Sequence, residues 1–403
     1  MVNLLQKYIF YYQIRLITSV FAQSLTKNNL ILVNLPYIAP FIIKMGYNYH
    51  RIVIKIGSNV LTRPDGLPDL KRITHLVEQV AEIKKQGKEI VLVSSGAVAS
   101  GRSLIHISEK NDAVATRQLL ASIGQVKLIN TYAQLFEKFD MLCSQVLVTK
   151  EDFRDRMHYL NMKNCLEILL QHQVIPIVNE NDVVSVTELM FTDNDELAGL
   201  IAAMLNAQAL IVLTNVDGIY DGDPTLDSSK VVEEISGPVI DFSSFVSSGR
   251  SQFGRGGMIT KSTMAQKTAQ LGIAVHIANG TKDHILTDVL ENKTTHSYFV
   301  PNKSASGKKK WIAHSEHSAT GTVQINEGAK AVLTSGRASS VLPVGIVKIV
   351  SGFEMGEIIK LVDEDNKPVG LGIAEYGAEK AAEWLGQKNK KPLVHYDYLY
   401  LQF

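Results

Sequence analysis

The sequence predicts an α/β protein: a mainly parallel open sheet sandwiched by helices, joined to a small C-terminal β-rich domain. Three observations carry that prediction. Short apolar runs such as Arg51–Ile56 (RIVIKI), Val174–Val178 (VIPIV) and Ala209–Leu213 (ALIVL) read as strands buried on both faces. Segments with helical periodicity separate them, the alternation that builds a parallel sheet covered on both sides. Beyond Pro301 this alternation stops, and brief β-like runs punctuated by glycine take over.

Arg51–Ile56 is the first strand, broken by Gly57-Ser58-Asn59. Lys55 stands among Ile and Val near the strand's end, where an ammonium is costly to bury without a partner. The glycine that follows at once favours a phosphate partner over snorkelling to solvent. Leu70–Gln86 puts Ile73, Leu76, Val77, Val80 and Ile83 on one helical face, with Gly87 at the C′ position. Glu89–Val93 is the second strand and runs into Ser94-Ser95-Gly96-Ala97, a turn whose N–H groups suit an anion. No GxxxxGK[ST] phosphate loop occurs in the chain. Ala113–Lys138 reads as a helix, Ser144–Thr149 as a strand and Met162–Gln171 as a helix.

The stretch that follows organises the rest. Val174–Val178 places Asn179, Glu180, Asn181 and Asp182 just past a strand's carboxyl end. Asp193, Asn194 and Asp195 then open the helix-forming run LAGLIAAML. Ligands of open α/β sheets bind beyond the carboxyl ends of the strands. Asn and Asp also suit turns and N-caps; both clusters together, after one buried strand, mark a site. Ala209–Leu213 is the next strand, followed by Thr214-Asn215-Val216-Asp217-Gly218 and the turn-rich Asp221–Pro224. Residues 242–257 are rich in Ser and Gly and read as a mobile loop leading into a helix, Thr260–Leu271. Lys261, in that helix's first turn, is opposed by the macrodipole, a conflict that a bound phosphate would remove. Ile273–Ile277 reads as the last strand. Thr322–Ile325, Leu342–Val350, Gly356–Val362 and Val369–Ala374 supply the second domain. The expected divisions are an extension over 1–44, an α/β domain over 45–300, a linker over 301–319 and a β-rich domain over 320–403.

At 403 residues the chain is long enough for two sizeable cores, and its formal net charge of +1 provides no global basic field for nucleic acid. Cys143 and Cys165 form no CxxC or Cys/His pattern, so neither a metal site nor a disulfide framework is expected, and a reducing cytoplasm is the default. Residues 1–44 contain no Asp or Glu, and their longest uncharged run, Asn28–Ile43, falls short of the roughly 18 residues a membrane span needs. Met45 is the expected working start. Truncation to Met45 should leave solubility and activity unchanged; a truncated protein that is insoluble beside an active full-length one would refute this.

VIKIGSNVLT, VLVSSGAVASG, IPIVNENDVVS, FTDNDELAGLIA, LIVLTNVDGIYDGDP and GRGGMITKSTMAQ, in that order, resemble the amino acid kinase family. They are most similar to its members that phosphorylate glutamate at the head of proline biosynthesis. TGTVQINEGAKAVL and SSVLPVGIVKIVSGFEMGEII resemble a PUA domain, and the likeness covers about residues 50–395. The resemblance implies ATP and Mg²⁺ as cofactors, with Lys55 and Lys261 on the phosphates and Asp195 orienting both lysines and helping to organise Mg²⁺. It assigns Ser95, Asp182 and Asn194 to glutamate, with Asp182 on the ammonium and Ser95 on a carboxylate. Thr214, Asn215 and the segment Arg255, Gly256, Gly257, Met258, Ile259, Thr260 and Lys261 match nucleotide-binding positions. Many relatives carry Asp where this chain has Asn215. No metal-ligating set is assigned. The family further implies a cytoplasmic homo-oligomer, inhibition by proline and a hand-off of product to a glutamyl-phosphate reductase. Two alternatives stay open. An acetylglutamate or aspartate kinase would share the lysines and Asp195. An RNA-binding role would rest on the PUA-like tail, where Lys308–Lys310, Lys388, Lys390 and Lys391 supply charge without an accompanying aromatic pattern.

Overall fold

A computed structural model describes residues 46–106, 112–185, 191, 193–223, 226, 228–237, 257–302, 309, 312–313, 319–335 and 339–401. The expected extension 1–44, most of the glycine-rich loop 242–257 and most of the linker 301–319 lie outside these residues. Among these residues the first sheet has eight strands: β1 Arg51–Ile56, β2 Glu89–Ser94, β3 Cys143–Val148, β4 Ile175–Glu180, β5 Ala209–Thr214, β6 Glu234–Ile235, β7 Ala274–Asn279 and β8 Ser297–Phe299. Their order is β3-β4-β2-β1-β5-β7-β8-β6. The pairs from β3 through β7 are all parallel, so their carboxyl ends open along one edge.

Alternation along each strand divides its side chains between two cores. Ile52, Ile54, Ile56, Ile90, Leu92, Ile211 and Leu213 enter one, beneath the helices Leu70–Lys85 and Ala113–Glu137. Val53, Val91, Val93, Leu210 and Val212 enter the other, with Leu197, Ile201 and Ala265 from the helices Asn194–Met204 and Met258–Gln270. Lys55, two residues after Val53, shares this second face. A lysine in a hydrophobic strand thereby points toward the two helices that carry Asp195 and Lys261.

Several boundaries differ from expectation. β4 continues through Asn179 and Glu180, because the ladder to Leu147 and Val148 of β3 is unaffected by polar side chains. Asn179 and Glu180 therefore belong to the strand and are nearly fully buried. β7 is not the last strand: β8 pairs antiparallel to it, and β6 pairs parallel to β8. Both are too short to show a period. The helix Arg156–Gln171 starts earlier than expected, at a cap in which the Asp155 side chain accepts from His158 N.

Gly96 has φ +110°, which an L side chain rarely adopts, and turns the chain from β2 into the short helix Ala97–Arg102. That helix lies hard against Ala113–Glu137. A β-carbon at Gly101 would come within 2.1 Å of Leu120 O, and one at Gly124 within 1.9 Å of Ala97 O. Backbone touches backbone there.

The second sheet, β9 Gly321–Ile325, β10 Ile346–Ser351, β11 Ile358–Val362, β12 Pro368–Ile373 and β13 Leu399–Leu401, runs in the order β10-β9-β11-β12-β13. It encloses its own core of Val323, Ile325, Ile359 and Leu361 with others, while Ile358 and Leu371 join the core of the first domain. The helices Glu327–Thr334 and Ala378–Glu383 had no expectation in the sequence. An aromatic does accompany the C-terminal lysines: the ammoniums of Lys380 and Lys390 lie 4.7 and 5.2 Å from the Trp384 ring centroid. No helix among the described residues is long and apolar enough to cross a membrane.

A buried polar chain ties β7 to β8 and the entry segment. His276, fully buried, lies 3.1 Å from the Tyr49 hydroxyl through Nε2 and 3.0 Å from His296 Nε2 through Nδ1. His296 Nδ1 is 2.9 Å from the Thr294 carbonyl, which can only accept, so that nitrogen carries the proton. The direction then follows: His276 Nδ1 donates to His296, and Tyr49 donates to His276. Tyr47 and Tyr298 pack on the His276 ring. Burial, and then His296, push the His276 pKa well below its ordinary value. Folded His276 stays neutral, whereas the unfolded chain takes up a proton near pH 6.5. Stability should therefore be full above about pH 6.5 and fall with pH below it, by up to about 1.4 kcal/mol per unit. Urea titrations at pH 7 and 5.5 should show this loss in the parent and a smaller one in His276→Asn; equal losses would refute it.

Candidate active site

The carboxyl ends of β1, β2, β4 and β5 meet the amino ends of two helices, and the buried charges of the molecule concentrate there. Asp195 stands in the first turn of Asn194–Met204 and is completely buried. Lys55 Nζ lies 2.7 Å from its Oδ1 and Lys261 Nζ 2.9 Å from its Oδ2. Both lysines are themselves buried. Burial alone would push the Asp195 carboxyl up; the two lysines outweigh it and hold the group at about 2. It is ionised throughout the neutral range. Two ammoniums converge on one carboxylate in a buried site. The glycine after β1 has a reason here, since a β-carbon at Gly57 would lie 3.3 Å from Lys55 Nζ and 3.2 Å from Leu213 O.

Asp193, which the sequence reading left without a role, caps the same helix: its Oδ1 accepts from Asp195 N at 2.9 Å and Glu196 N at 3.1 Å. Its Oδ2 lies 3.2 Å from the Thr260 hydroxyl, linking the two helices. Burial and then the Asp195 charge push its carboxyl up to about 6, against the pull of both lysines. The N-cap reading and the site reading of this cluster thus describe different residues: Asp193 caps, and Asp195 meets the lysines.

A neutral network runs beside the charges. Asn194 Nδ2 donates to Ser95 Oγ at 2.8 Å and to Asn179 Oδ1 at 3.0 Å, and Asn179 Nδ2 donates to Gln125 Oε1 at 3.0 Å. Ser95 and Asn194 are therefore brought together. The Ser95 N–H itself is used by Ile56 O at 3.2 Å. Asp182 stands farther along, at the exit of β4, and pairs with Arg117 of the long helix: Arg117 Nε donates to Oδ1 at 3.0 Å, and Nη2 donates to the same oxygen. Burial raises the Asp182 pKa and Arg117 opposes the rise. Glu180, buried and accepting from Phe191 N at 2.9 Å, is pushed up to about 7, mainly by burial. Nothing in the sequence signals Arg117, whose partner is 65 positions away.

Toward β5 and β7, Thr214 ends β5 with its hydroxyl 3.4 Å from Asn215 Oδ1. Asp217 accepts from Asn279 Nδ2 and Lys282 Nζ, each at 2.9 Å, joining the two strand ends. Burial would raise the Asp217 pKa, but Lys282 and Asn279 hold it below its ordinary value. Asn279 and Lys282 were legible by the same rule that found Asn179, since polar residues and Gly280 follow a buried strand. Gly257 precedes the helix Met258–Gln270, in which Met258, Ile259 and Thr260 form the turn before Lys261. Arg255 and Gly256 lie outside the described residues. Among the described residues, no three His, Cys, Asp or Glu side chains are grouped to hold a metal ion.

The model of the amino acid kinase family matches residues 50–279, and that of the PUA domain matches residues 321–396. The glutamate 5-kinase of Bacteroides thetaiotaomicron is 52% identical over 361 residues, covering 89% of this chain and 100% of that protein. The glutamate 5-kinase of Chlorobaculum tepidum is 48% identical over 354 residues, 88% of this chain and 98% of that protein. That of Maridesulfovibrio salexigens is 38% identical over 344 residues, 84% and 90% of the two chains. The site geometry, the order of the motifs and these likenesses converge: the chain belongs to the amino acid kinase family, among its glutamate 5-kinases, and carries a C-terminal PUA domain.

Proposed function

We propose that the protein transfers the γ-phosphoryl group of ATP to the side-chain carboxylate of L-glutamate, giving glutamyl 5-phosphate and ADP as the first step of proline biosynthesis. The observation that carries this reading is the pair of buried ammoniums, Lys55 and Lys261, that converge on Asp195 at the carboxyl edge of the sheet. A polyphosphate and an attacking carboxylate repel each other, so the main work of such a site is to neutralise and align them. A carboxylate oxygen forms the new bond to phosphorus as the bond to the ADP oxygen breaks. The acceptor is already ionised at neutral pH, so no general base is needed. Lys55 and Lys261 hold the transferring group, and Asp195 sets their spacing. Ser95 and Asn194 hold the acceptor, and Asp182 takes its ammonium. Thr214, Asn215 and residues 255–261 line the nucleotide.

Mg²⁺ would arrive with ATP, held by phosphate oxygens and water, a binding mode that needs few protein ligands. The chemistry belongs to residues 45–300. The working form is a cytoplasmic homo-oligomer, proline competes in the acceptor pocket, and the acyl phosphate passes to a glutamyl-phosphate reductase. Incubation with ATP, Mg²⁺ and glutamate, with hydroxylamine present to trap the acyl phosphate, should yield glutamyl hydroxamate. Faster product from N-acetylglutamate or aspartate would replace this reading with one of the sister kinases.

Asp182→Asn keeps the shape of the side chain and removes its charge. A charge-assisted contact is worth more than a neutral one, so the glutamate KM should rise about 10- to 100-fold while that of ATP hardly moves. Sensitivity to proline should fall in parallel. Normal glutamate binding with loss of ATP would mean that the two halves of the site are interchanged.

A further inference from the structure

The residue assigned to the substrate ammonium is already engaged. Arg117 grips Asp182 through Nε and Nη2, but both bonds land on Oδ1, where a fork matched to a carboxylate would take one oxygen with each arm. Nη2 also lies 3.8 Å from Glu180 Oε2, whereas Nη1 meets no acceptor among the described residues. The Arg117 side chain is 33% exposed against 9% for Asp182, so of the pair Arg117 is the more accessible from solvent. Gln118, the next residue, donates to Val183 O at 2.7 Å, fixing this part of the helix to the loop after β4. An α-amino acid presents an ammonium and a carboxylate from one carbon, a dipole whose two ends match an Asp–Arg pair laid side by side.

We infer that Arg117 binds the α-carboxylate of the amino acid acceptor through its Nη1 edge while Asp182 takes the ammonium, so that the pair reads both charges of the zwitterion. This rests on the glutamate reading above and extends it to a residue that the sequence did not mark. The competing role is structural: Arg117 could only neutralise Asp182 and Glu180. Ligands that lack one charge at a time separate the two. Glutarate keeps both carboxylates and lacks the ammonium; 4-aminobutyrate keeps the ammonium and lacks the α-carboxylate.

Inhibition constants for both, measured against glutamate at saturating ATP, should move in opposite ways in two variants. Arg117→Gln should raise the glutamate KM and the glutarate constant about 10- to 100-fold, the size expected for a charge-assisted contact, and leave the 4-aminobutyrate constant within about threefold. Asp182→Asn should weaken 4-aminobutyrate and spare glutarate. Arg117→Lys keeps the charge and serves if the Gln variant does not fold: it loses the planar fork whose separate arms reach Asp182 and a carboxylate, so glutarate should weaken while 4-aminobutyrate holds. Equal shifts for both ligands, or none, would overturn the inference and leave Arg117 a structural counter-ion. A wild-type protein inactive on glutamate would instead sink the underlying reading, before any variant is made.

Discussion

Replacing Lys55 or Lys261 with alanine should lower kcat by about 10²–10³-fold with little change in the glutamate KM. The reason lies in where charge develops. As phosphorus leaves ADP oxygen for the acceptor, negative charge spreads over the transferring group. On the proposed reading, two ammoniums fixed by Asp195 meet it without having to reorganise. In a buried site their effect is far larger than it would be in water. Either alanine also leaves Asp195 with a single counter-charge, and the remaining lysine is then fully committed to it. The loss should therefore appear in the chemical step. Steady-state kinetics with both substrates varied would decide: an unchanged kcat with a raised glutamate KM would make the lysines ground-state binders.

Asp195→Asn should be at least as damaging, and by a second route. The substitution preserves shape but removes the anion that both buried ammoniums contact. Breaking a buried charge pair by removing one partner costs about 3–5 kcal/mol. The unfolding midpoint in urea should fall accordingly, and kcat should drop with it, because nothing sets the distance between the lysines. On the proposed reading ATP brings phosphate charge to the same place, so it should raise the melting temperature of the variant by more than that of the parent. An unchanged midpoint and an equal response to ATP would show that Asp195 does not anchor the pair.

The frame of this site was legible in the sequence because buried parallel strands are apolar throughout, which made Lys55 stand out in β1. The same rule placed Asn179 to Asp182 and Asp193 to Asp195 at the sheet's carboxyl edge. The pairings were not legible. Arg117 belongs to a helix with mixed periodicity, and its partner follows a strand that lies elsewhere in the chain. Gly101 and Gly124 carried no packing role in the sequence, whereas at both the helices Ala97–Arg102 and Ala113–Glu137 touch through their backbones. β6 and β8 and the C-terminal helices were lost for want of length. Local pattern reports what each segment buries and stays silent on which segment it meets.

Asp195 draws its two partners from the first strand and from the helix before β7, so the trio is complete only after most of the first domain has come together. An emerging chain that has made Asn194–Met204 but not Met258–Gln270 holds Lys55 and Asp195 without their third member. Contacts at such sequence separations form late and slowly, because the loop-closure entropy must be overcome first. A first domain that lacks the helix Met258–Gln270 lacks Lys261 as well, so its Asp195 has only Lys55 to meet.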